Sequence, residues 1–430
     1  MSINKKNILL CITGSIACYK SVDLYRKLKK SGANLRIIVS GSAAKFISPY
    51  IFESFGEEVF EDDAFKSPLS HIDLSKFADI ILIAPATYNT INKIASGIAD
   101  TLITLTVAAA PDKPKLIVPA MNPNMYANKI LKENLKRLCA FNFSVVSPAT
   151  GTAACGDYGE GRFPEIDDII FDVESVFKKK TLKGKKVLVT AGATREYLDP
   201  VRFISNGSSG KMGISLANAA LKAGAEVTLI VLNIESGNIA KYINWRIKVI
   251  ACTDFAGLKE VLLAEFKKTD ILFMAAAVSD YGFKEKSPVK IKKSGISESS
   301  LYKNKSYNND TNNSNSISNN DNNATPLPLK IELVQNEDLL KAVSKIKRSG
   351  QIVFGFAAET DSVIENGRKK LAEKSLDYIF INDVSKDIIG GEENEGFLIN
   401  KSGAIKNFKR ENKESLAEKL IEELEYITDL

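Results

Sequence analysis

The sequence feature that most restricts the fold is an alternation of short, β-branched apolar runs with amphipathic helical segments. The first part of the chain contains the runs NILLCIT, NLRIIVS, DIILIAP, KLIVP and FSVVSP, with helical apolar spacing between them, including one helix over INKIASGIADTLITLTVAAA. Parallel strands produce this pattern because crossover helices cover both faces of their sheet. The sequence therefore predicts an α/β fold built on buried parallel strands.

The alternation begins again after a lysine-rich stretch at residues 178–186, with the runs GKKVLVTAG, AEVTLIVL, RIKVIA, DILFMAAAV, LKIELV, QIVFGFAAET and DYIFINDV. A chain of 430 residues is long enough to form two cores. We therefore predict two tandem Rossmann-like three-layer domains, 1–180 and 181–430. The segment GFLINKSGAIKNF predicts a closing hairpin around an Asn-Lys-Ser-Gly turn, followed by an acidic amphipathic helix.

One segment of the second domain fits neither pattern. Residues 301–324 contain ten asparagines and almost no apolar side chains. Such a segment cannot bury enough surface to offset the entropy lost on ordering. We expect a disordered Asn-rich insertion over about residues 294–326.

Charge and cysteine content limit the classes of partner and compartment. Lys plus Arg exceed Asp plus Glu by 58 − 52 = 6, and this excess is spread along the chain. It suits phosphorylated small molecules better than nucleic acid. The five cysteines form no CxxC pair, which argues against a disulfide framework or a zinc knuckle. We expect a cytoplasmic protein with no nucleic-acid or membrane partner, since no run approaches the roughly 20 apolar residues of a membrane span.

Two glycine-containing turns follow adjacent predicted strands. The segment CITGSIACYK places Gly14, Ser15 and Ile16 between a strand and a helix, and IVSGSAAKF places Ser40 after the next strand. Backbone NH groups at such turns bind phosphate, and the carboxyl ends of neighbouring parallel strands lie at one edge of the sheet. The two turns therefore predict one phosphorylated cofactor across this edge.

The chain has a single histidine, His71, in LSHIDLSK. Imidazole changes charge near neutral pH, so His71 is a candidate for proton transfer. A packed or surface histidine is the alternative. The residues alone do not separate these two interpretations.

The order of motifs adds a resemblance to known proteins. The segments GSIACYK, SHIDL, APATYNTINKIASGIADTL, PAMNPNMY and ACGDYGEGR resemble the homo-oligomeric flavin-containing cysteine decarboxylases that make 4′-phosphopantetheine. The segments TAGATREYLDPVRFISNGSSGKMG, AAAVSDY, KIKK and GFAAET resemble phosphopantothenate–cysteine ligase. Together they are similar to the bifunctional family of coenzyme A biosynthesis, which implies a decarboxylase fold followed by a ligase fold.

The resemblance implies FMN-dependent decarboxylation in the first domain. In this family flavin oxidises the substrate thiol toward a thioaldehyde, carbon dioxide leaves, and the ene-thiolate is then reduced. His71 would assist proton removal, Asn122 would hold the substrate carboxylate, and Cys155 would protonate the ene-thiolate; a plain turn residue is the alternative for Asn122. The other four cysteines are interpreted as packing residues. The residues implied for FMN binding are Gly14, Ser15, Ile16, Ser40, Thr87 and Asn92.

The resemblance also implies a CTP-dependent ligase in the second domain. Here 4′-phosphopantothenate would form an acyl-cytidylate that the amine of cysteine attacks. Asn206 would stabilise this intermediate, and Lys290 would neutralise the departing pyrophosphate. The residues implied for nucleotide binding are Asp280, Lys290, Phe356, Lys370 and Lys374.

Several points about the ligase half stay open from the residues alone. ATP could replace CTP, Lys370 and Lys374 could form a solvated basic face, and magnesium is implied without identified ligands. GSSGKMG is not a Walker phosphate loop, because its spacing is short and Met212 stands where Ser or Thr would bind magnesium. After EVTLI this chain reads VLNIES where the family commonly has Ser-Gly-Pro, so contacts to the base could differ there.

Two other functions are compatible with the fold class. A non-catalytic FMN-binding regulatory subunit could lose His71 or Cys155, and both are present. A nicotinamide-dependent oxidoreductase would need a fuller GxGxxG motif than either half supplies. The family's FMN site lies between subunits of a trimer and its ligase half dimerises, so the resemblance implies a homo-oligomer.

Overall fold

The protein was studied as a computed structural model that describes residues 3–62, 69–234, 242–292, 330–359, 361–383 and 391–424. The chain divides into two compact units, Met1–Thr181 and Leu182–Leu430. The predicted Asn-rich insertion at about 294–326 lies outside the described residues. The part of the chain that is described contains no helix long and apolar enough to cross a membrane.

The first unit alternates strands and helices from its beginning. Its elements are β1 (Asn7–Ile12), a 3-10 helix (Ile16–Lys20), α1 (Ser21–Lys30), β2 (Asn34–Val39), α2 (Tyr50–Glu53), β3 (Val59–Glu61), α3 (Ser70–Phe77), β4 (Ile80–Ala86), α4 (Tyr88–Ala95), α5 (Leu102–Ala108), β5 (Lys115–Pro119), α6 (Pro123–Tyr126), α7 (Lys129–Cys139), β6 (Phe143–Val145), β7 (Ala149–Thr152), β8 (Tyr158–Arg162) and α8 (Ile166–Val176).

The main sheet of the first unit has the order β3-β2-β1-β4-β5-β6, and all its pairings are parallel. Along β1, Ile8 and Leu10 join one apolar cluster, whereas Leu9 joins the cluster on the opposite face. Leu24 of α1 packs into the first cluster and Ile91 of α4 into the second. Helices therefore cover both faces, and the predicted three-layer α/β fold is confirmed.

The single helix predicted over INKIASGIADTLITLTVAAA is wrong. The structure has two helices, because α4 ends at Ala95 and α5 begins at Leu102. Gly97 adopts a left-handed conformation with φ +72°, which few other residues tolerate. Thr101 then starts α5 with a capping box, in which its side chain accepts from Thr104 N and the Thr104 side chain accepts from Thr101 N.

The second unit repeats the strand and helix alternation. Its elements are β9 (Lys186–Gly192), β10 (Arg195–Tyr197), β11 (Phe203–Ser205), α9 (Lys211–Lys222), β12 (Glu226–Leu232), β13 (Lys248–Cys252), α10 (Phe255–Phe266), β14 (Ile271–Met274), β15 (Tyr281–Phe283), β16 (Leu333–Gln335), α11 (Leu339–Ile346), β17 (Ile352–Glu359), α12 (Val363–Glu373), β18 (Tyr378–Asp383), β19 (Glu393–Asn400), β20 (Ile405–Asn412) and α13 (Lys413–Glu422).

The main sheet of the second unit has the order β13-β12-β9-β14-β17-β18-β19-β20. The strands from β13 to β18 are parallel, and β18, β19 and β20 pair antiparallel. The predicted closing hairpin is confirmed, with Asn400 Oδ1 accepting from Ala404 N at 3.0 Å across the turn. Leu216 of α9 and Leu258 of α10 pack into clusters on opposite faces of this sheet.

The run LKIELV was predicted as another strand of this sheet, and that prediction is wrong. Only Leu333–Gln335 is extended there, and it pairs antiparallel with β15 in a separate two-stranded sheet. Leu333 and Val334 are exposed, so the run does not have the burial that a central strand requires.

Candidate active sites

The first unit has a large cavity at the carboxyl ends of its central strands. Its volume is about 1010 Å³, and it lies where the strand order reverses between β1 and β4. Ligands of open α/β sheets bind at this position. The predicted site residues that line the cavity are Gly14, Ser15, Ile16, Ser40, Thr87, Asn122 and Cys155.

The two predicted phosphate turns are packed against each other. A Cβ atom added to Gly14 would lie 2.3 Å from Ser42 Oγ, so only glycine fits there. Ser40 Oγ lies 3.1 Å from Ser42 Oγ and accepts from Ala43 N at 3.1 Å. Ser15 caps the 3-10 helix, with Oγ accepting from Ala17 N at 3.3 Å. Both serine hydroxyls thus help fix the turns that form this end of the cavity.

Thr87 and Asn92 were both predicted to bind FMN, but they occupy different positions. Thr87 lines the cavity and caps α4, and its backbone N–H donates to Thr13 Oγ1 at 2.9 Å. Asn92 is absent from the cavity lining. Its Oδ1 accepts from Asn134 Nδ2 at 2.9 Å, which connects α4 to α7. The structure therefore gives Asn92 a helix-packing contact.

Asn122 and Cys155 are brought together at the other end of the cavity. Asn122 caps α6 and Cys155 lies in the turn between β7 and β8, and Asn122 Nδ2 donates to Cys155 Sγ at 3.1 Å. Asn122 Nδ2 also donates to Asp157 Oδ2 at 2.6 Å. Sequence reasoning missed Asp157, although its position two residues after Cys155 in ACGDYGEGR was the available signal.

Asp62, which lines the cavity, was also missed by the sequence analysis. Its side chain is buried, and Oδ1 accepts from Ile103 N at 2.7 Å at the beginning of α5. Burial raises the pKa of the nearby Cys11 thiol well above its usual value, and the Asp62 charge raises it further. Cys11 is therefore a neutral packing residue, as predicted, whereas Cys139 is exposed and its interpretation as a packing residue is wrong.

His71 lies at the second position of α3. It is not among the residues that line the cavity. Its Nδ1 atom is buried and has no hydrogen-bond partner within the described ranges. Within one chain, no described contact connects His71 with Asn122 or Cys155.

In the second unit, Asn206 contacts the backbone of the segment that carries Asp280. Asn206 Nδ2 donates to Val278 O at 3.1 Å, two residues before Asp280. Both side chains are exposed.

Lys290 is exposed, and the segment that carries it is fixed by Asp199. Ile291 N donates to Asp199 Oδ2 at 3.1 Å, and Ile291 O accepts from Arg202 Nη1 at 3.0 Å. Burial alone would raise the pKa of Asp199, but hydrogen bonds from Val201, Ile291 and Arg202 lower it to about 2. Asp199 therefore stays ionised and holds the backbone next to Lys290, a role the sequence did not reveal.

The remaining predicted nucleotide contacts all have protein partners. Phe356 is half-buried and stacks on Phe354, with ring centroids 5.2 Å apart. Lys370 Nζ lies 2.5 Å from Glu359 Oε1, and Lys374 Nζ lies 3.0 Å from Asp338 Oδ2. The two lysines pair with different carboxylates and share no partner in these contacts, and their binding to a nucleotide stays a prediction.

The unusual VLNIES segment is described as far as Ile234. Asn233 has a positive φ of 48°, a conformation that asparagine tolerates better than most residues. Its Nδ2 donates to Ala193 O at 2.9 Å and to Thr253 O at 2.6 Å. The asparagine thus connects the ends of three neighbouring strands where the family commonly has Ser-Gly-Pro.

Two doubly wound units in tandem define a two-domain α/β protein. In the first unit, packed Gly-Ser turns and a cysteine-bearing hairpin line a cavity at the switch point, where open α/β sheets bind ligands. Family models match both units. The flavoprotein family matches residues 1–178, and the C-terminal domain of DNA/pantothenate metabolism flavoproteins matches residues 182–311 and 305–427.

Similar proteins cover nearly the whole chain. The coenzyme A biosynthesis bifunctional protein CoaBC of Bacillus subtilis is 37% identical over 396 residues, which are 90% of this chain and 88% of that protein. The protein of the same name from Vibrio cholerae is 37% identical over 419 residues, 96% of this chain and 94% of that one. A crystal structure of the C-terminal domain of such a protein is 27% identical, with a TM-score of 0.44, and covers 58% of this chain and 99% of that chain.

The chain belongs to the family of bifunctional coenzyme A biosynthesis proteins. It is an enzyme that combines a flavoprotein decarboxylase unit with a ligase unit. The family, the α/β fold and the two activities predicted from the sequence are confirmed. Membership argues against the non-catalytic subunit and the nicotinamide oxidoreductase considered above.

Proposed function

We propose that the first unit binds FMN and decarboxylates 4′-phosphopantothenoylcysteine to 4′-phosphopantetheine. The observation that carries this proposal is the 3.1 Å contact between Asn122 Nδ2 and Cys155 Sγ in the same cavity as the Gly14 and Ser40 turns. The cavity fits a flavin nucleotide in size, at about 1010 Å³, and the absent Cβ of Gly14 leaves room for close backbone approach to a phosphate.

Each residue at this site has one role in the proposal. FMN, when bound, supplies a reversible two-electron acceptor for the substrate thiol. Asn122 donates to the substrate carboxylate and holds it through a neutral amide. A full positive charge at this position would stabilise the carboxylate and oppose its loss as carbon dioxide. Cys155 lies on the exposed β7–β8 hairpin and donates its thiol proton to the ene-thiolate carbon.

We also propose that His71 acts from a neighbouring copy in a homo-oligomer, as the family's intersubunit FMN site implies. The support is that His71 is absent from the cavity lining of its own chain. Coexpression of His71→Asn with Cys155→Ser tests this sharing. Each variant alone lacks one of the two groups, but some sites of a mixed oligomer contain both. If the two variants assort at random, roughly a quarter of the sites have both groups, so we expect roughly a quarter of the wild-type activity per site. No recovered activity would place both residues in one chain.

For the second unit we propose joining of 4′-phosphopantothenate to cysteine through an acyl-cytidylate. Asn206 stabilises the mixed anhydride, Asp280 contacts the nucleotide, and Lys290 neutralises the departing pyrophosphate. Phe356, with Lys370 and Lys374, binds the nucleotide, and the two lysines exchange their carboxylate partners for phosphates. The described residues hold no group of three or more potential metal ligands, so in this proposal Mg²⁺ arrives bound to the triphosphate.

One assay tests both halves. The full-length protein is mixed with 4′-phosphopantothenate, cysteine, Mg²⁺ and either CTP or ATP, and 4′-phosphopantetheine is measured by mass. We expect product with CTP; equal product with ATP would contradict the nucleotide assignment. A second arm starts from 4′-phosphopantothenoylcysteine without nucleotide, where a colourless protein or missing product would contradict the FMN proposal alone. The five free cysteines support the proposal of a reducing, cytoplasmic location.

A further inference from the structure

The carboxylate of Asp157 contacts two residues of the site proposed in the first unit. It belongs to the turn between β7 and β8, and its Oδ2 accepts from Asn122 Nδ2 at 2.6 Å. The same oxygen lies 3.5 Å from Cys155 Sγ, within the range in which a thiol donates weakly. One carboxylate oxygen therefore contacts both residues to which the proposed decarboxylation assigns a role.

The orientation of the Asn122 amide is fixed independently of Asp157. Asn122 Oδ1 accepts from Asn124 N at 2.8 Å in the cap of α6, so the NH₂ group must face the hairpin. An amide NH₂ group has two hydrogens to donate. Here Nδ2 donates to two acceptors, Cys155 Sγ and Asp157 Oδ2. A substrate carboxylate that binds Asn122 must therefore take one of these donors from the hairpin.

We propose that Asp157 is a positioning residue whose carboxylate takes the place of the substrate's carboxylate on Asn122 until substrate binds. This inference rests on the proposed decarboxylase function. Two carboxylates cannot share one N–H donor, and their like charges repel at this distance. Substrate binding displaces Asp157 from Asn122, and the repulsion between the two carboxylates ends when carbon dioxide leaves. Asp157 then returns to Asn122 over the carboxylate-free product.

Competition from Asp157 favours the reaction because it prevents tight binding of the substrate carboxylate, which must leave as carbon dioxide. An interaction that stabilises substrate and transition state equally does not raise kcat. A competing carboxylate weakens only the ground state, in which the substrate still carries its charge. Removal of Asp157 should therefore lower both KM and kcat, the pattern expected when ground-state destabilisation is lost.

The test compares two ligands that differ only in the carboxylate. S-methyl-4′-phosphopantothenoylcysteine and S-methyl-4′-phosphopantetheine cannot be oxidised at sulfur to a thioaldehyde, so their binding to the flavin-loaded full-length protein can be measured by calorimetry. In Asp157→Asn we expect the carboxylate-bearing ligand to gain on the order of tenfold in affinity relative to the carboxylate-free ligand, a typical effect for a charged hydrogen-bonding competitor. Asp157→Ala should shift the ratio in the same direction.

Asp167→Asn is the matched control, because Asp167 is an exposed carboxylate of the same unit that pairs with Lys27. It should leave the ratio of the two affinities unchanged. Equal changes for both ligands in the Asp157 variants would mean a structural role and would overturn the inference. Weaker binding of the carboxylate-bearing ligand would also overturn it, since Asp157 would then assist that ligand. Failure of wild-type protein to bind either ligand would instead overturn the decarboxylase proposal, and the inference with it.

Discussion

The residues predicted for the site of the first unit are arranged differently from those predicted for the second. In the first unit, seven of the predicted residues line one cavity, and Asn122 contacts Cys155 directly. In the second unit, Lys370 and Lys374 pair with Glu359 and Asp338. The first site is largely assembled before any ligand binds, whereas the nucleotide binding proposed for the second would replace these two ion pairs.

The difference arises from the kind of structural element that carries each site. The first site is built from tight turns at the ends of adjacent strands, and these turns are fixed by short contacts such as Gly14 against Ser42. The second was assigned two long cationic side chains, Lys370 of α12 and Lys374 directly after it, which move easily between partners. Lys374 follows the last residue of α12, with φ −101°, so helical spacing from Lys370 does not extend to it.

The largest effect we predict is for His71→Asn. This variant tests whether the cavity of the first unit supports flavin reduction by substrate without the histidine. Loss of the base should slow substrate-dependent bleaching of the flavin by about 10²–10⁴-fold, the usual contribution of general acid–base catalysis. Anaerobic stopped-flow absorbance measures this rate. Cys155→Ser is the matched control, because it should bleach normally and stall before product. Bleaching of His71→Asn at the wild-type rate would show that the histidine has no role in this step.

The second prediction separates the two steps of the ligase. Lys290→Gln should reduce pyrophosphate release from CTP and 4′-phosphopantothenate by about 10²-fold or more, with or without cysteine, because charge on the leaving group is no longer neutralised. Asn206→Asp should still release pyrophosphate but accumulate the acyl-cytidylate, since a carboxylate repels the phosphoryl oxygens. Quench-flow with labelled CTP distinguishes the two. Equal loss of pyrophosphate release in both variants would contradict the division of roles.

The third prediction tests how strictly the first site depends on its turns. In Gly14→Ala the new methyl group would collide with Ser42 Oγ at 2.3 Å, so the turn must move. Overpacking of this kind costs about 1–3 kcal/mol, which predicts a roughly tenfold or greater loss of FMN affinity. Fluorescence titration of the apoprotein measures it. Adding Ser42→Gly should restore part of the affinity, and an unchanged affinity in Gly14→Ala would argue against a phosphate site at this turn.

Sequence reasoning worked best where the cause is local. Most strands of the two main sheets follow from apolar runs, although β3 was not predicted, and the Gly14 and Ser40 turns follow from the glycine and serine residues after two of these runs. The convergence of Asn122 and Cys155 came from family resemblance, because no spacing rule relates α6 to a hairpin more than 30 residues later. Asp157 was missed because the pairing of β7 with β8 decides which turn side chains face Asn122.

The ion pairs of the second unit were missed for a related reason. Glu359 ends β17, and Lys370 lies on the following helix, so their contact depends on how α12 returns along the sheet. Helical periodicity places Lys370 on a face but does not identify what that face meets. The family resemblance and the helical spacing assigned the lysine to a ligand, and neither indicated the neighbouring carboxylate.

The smallest predicted effect concerns this ion pair and tests the contrast between the two units most directly. Partly exposed ion pairs contribute only about 0–1 kcal/mol, so Lys370 can leave Glu359 for a phosphate at little cost. Lys370→Gln should raise the KM for CTP by roughly three- to tenfold with little change in kcat, because a phosphate contact is lost in substrate and transition state alike. Glu359→Gln frees the lysine and should leave the KM for CTP unchanged or slightly lower. If steady-state kinetics give the same KM for wild type and Lys370→Gln, the lysine serves only its carboxylate partner, and nucleotide binding does not require the exchange.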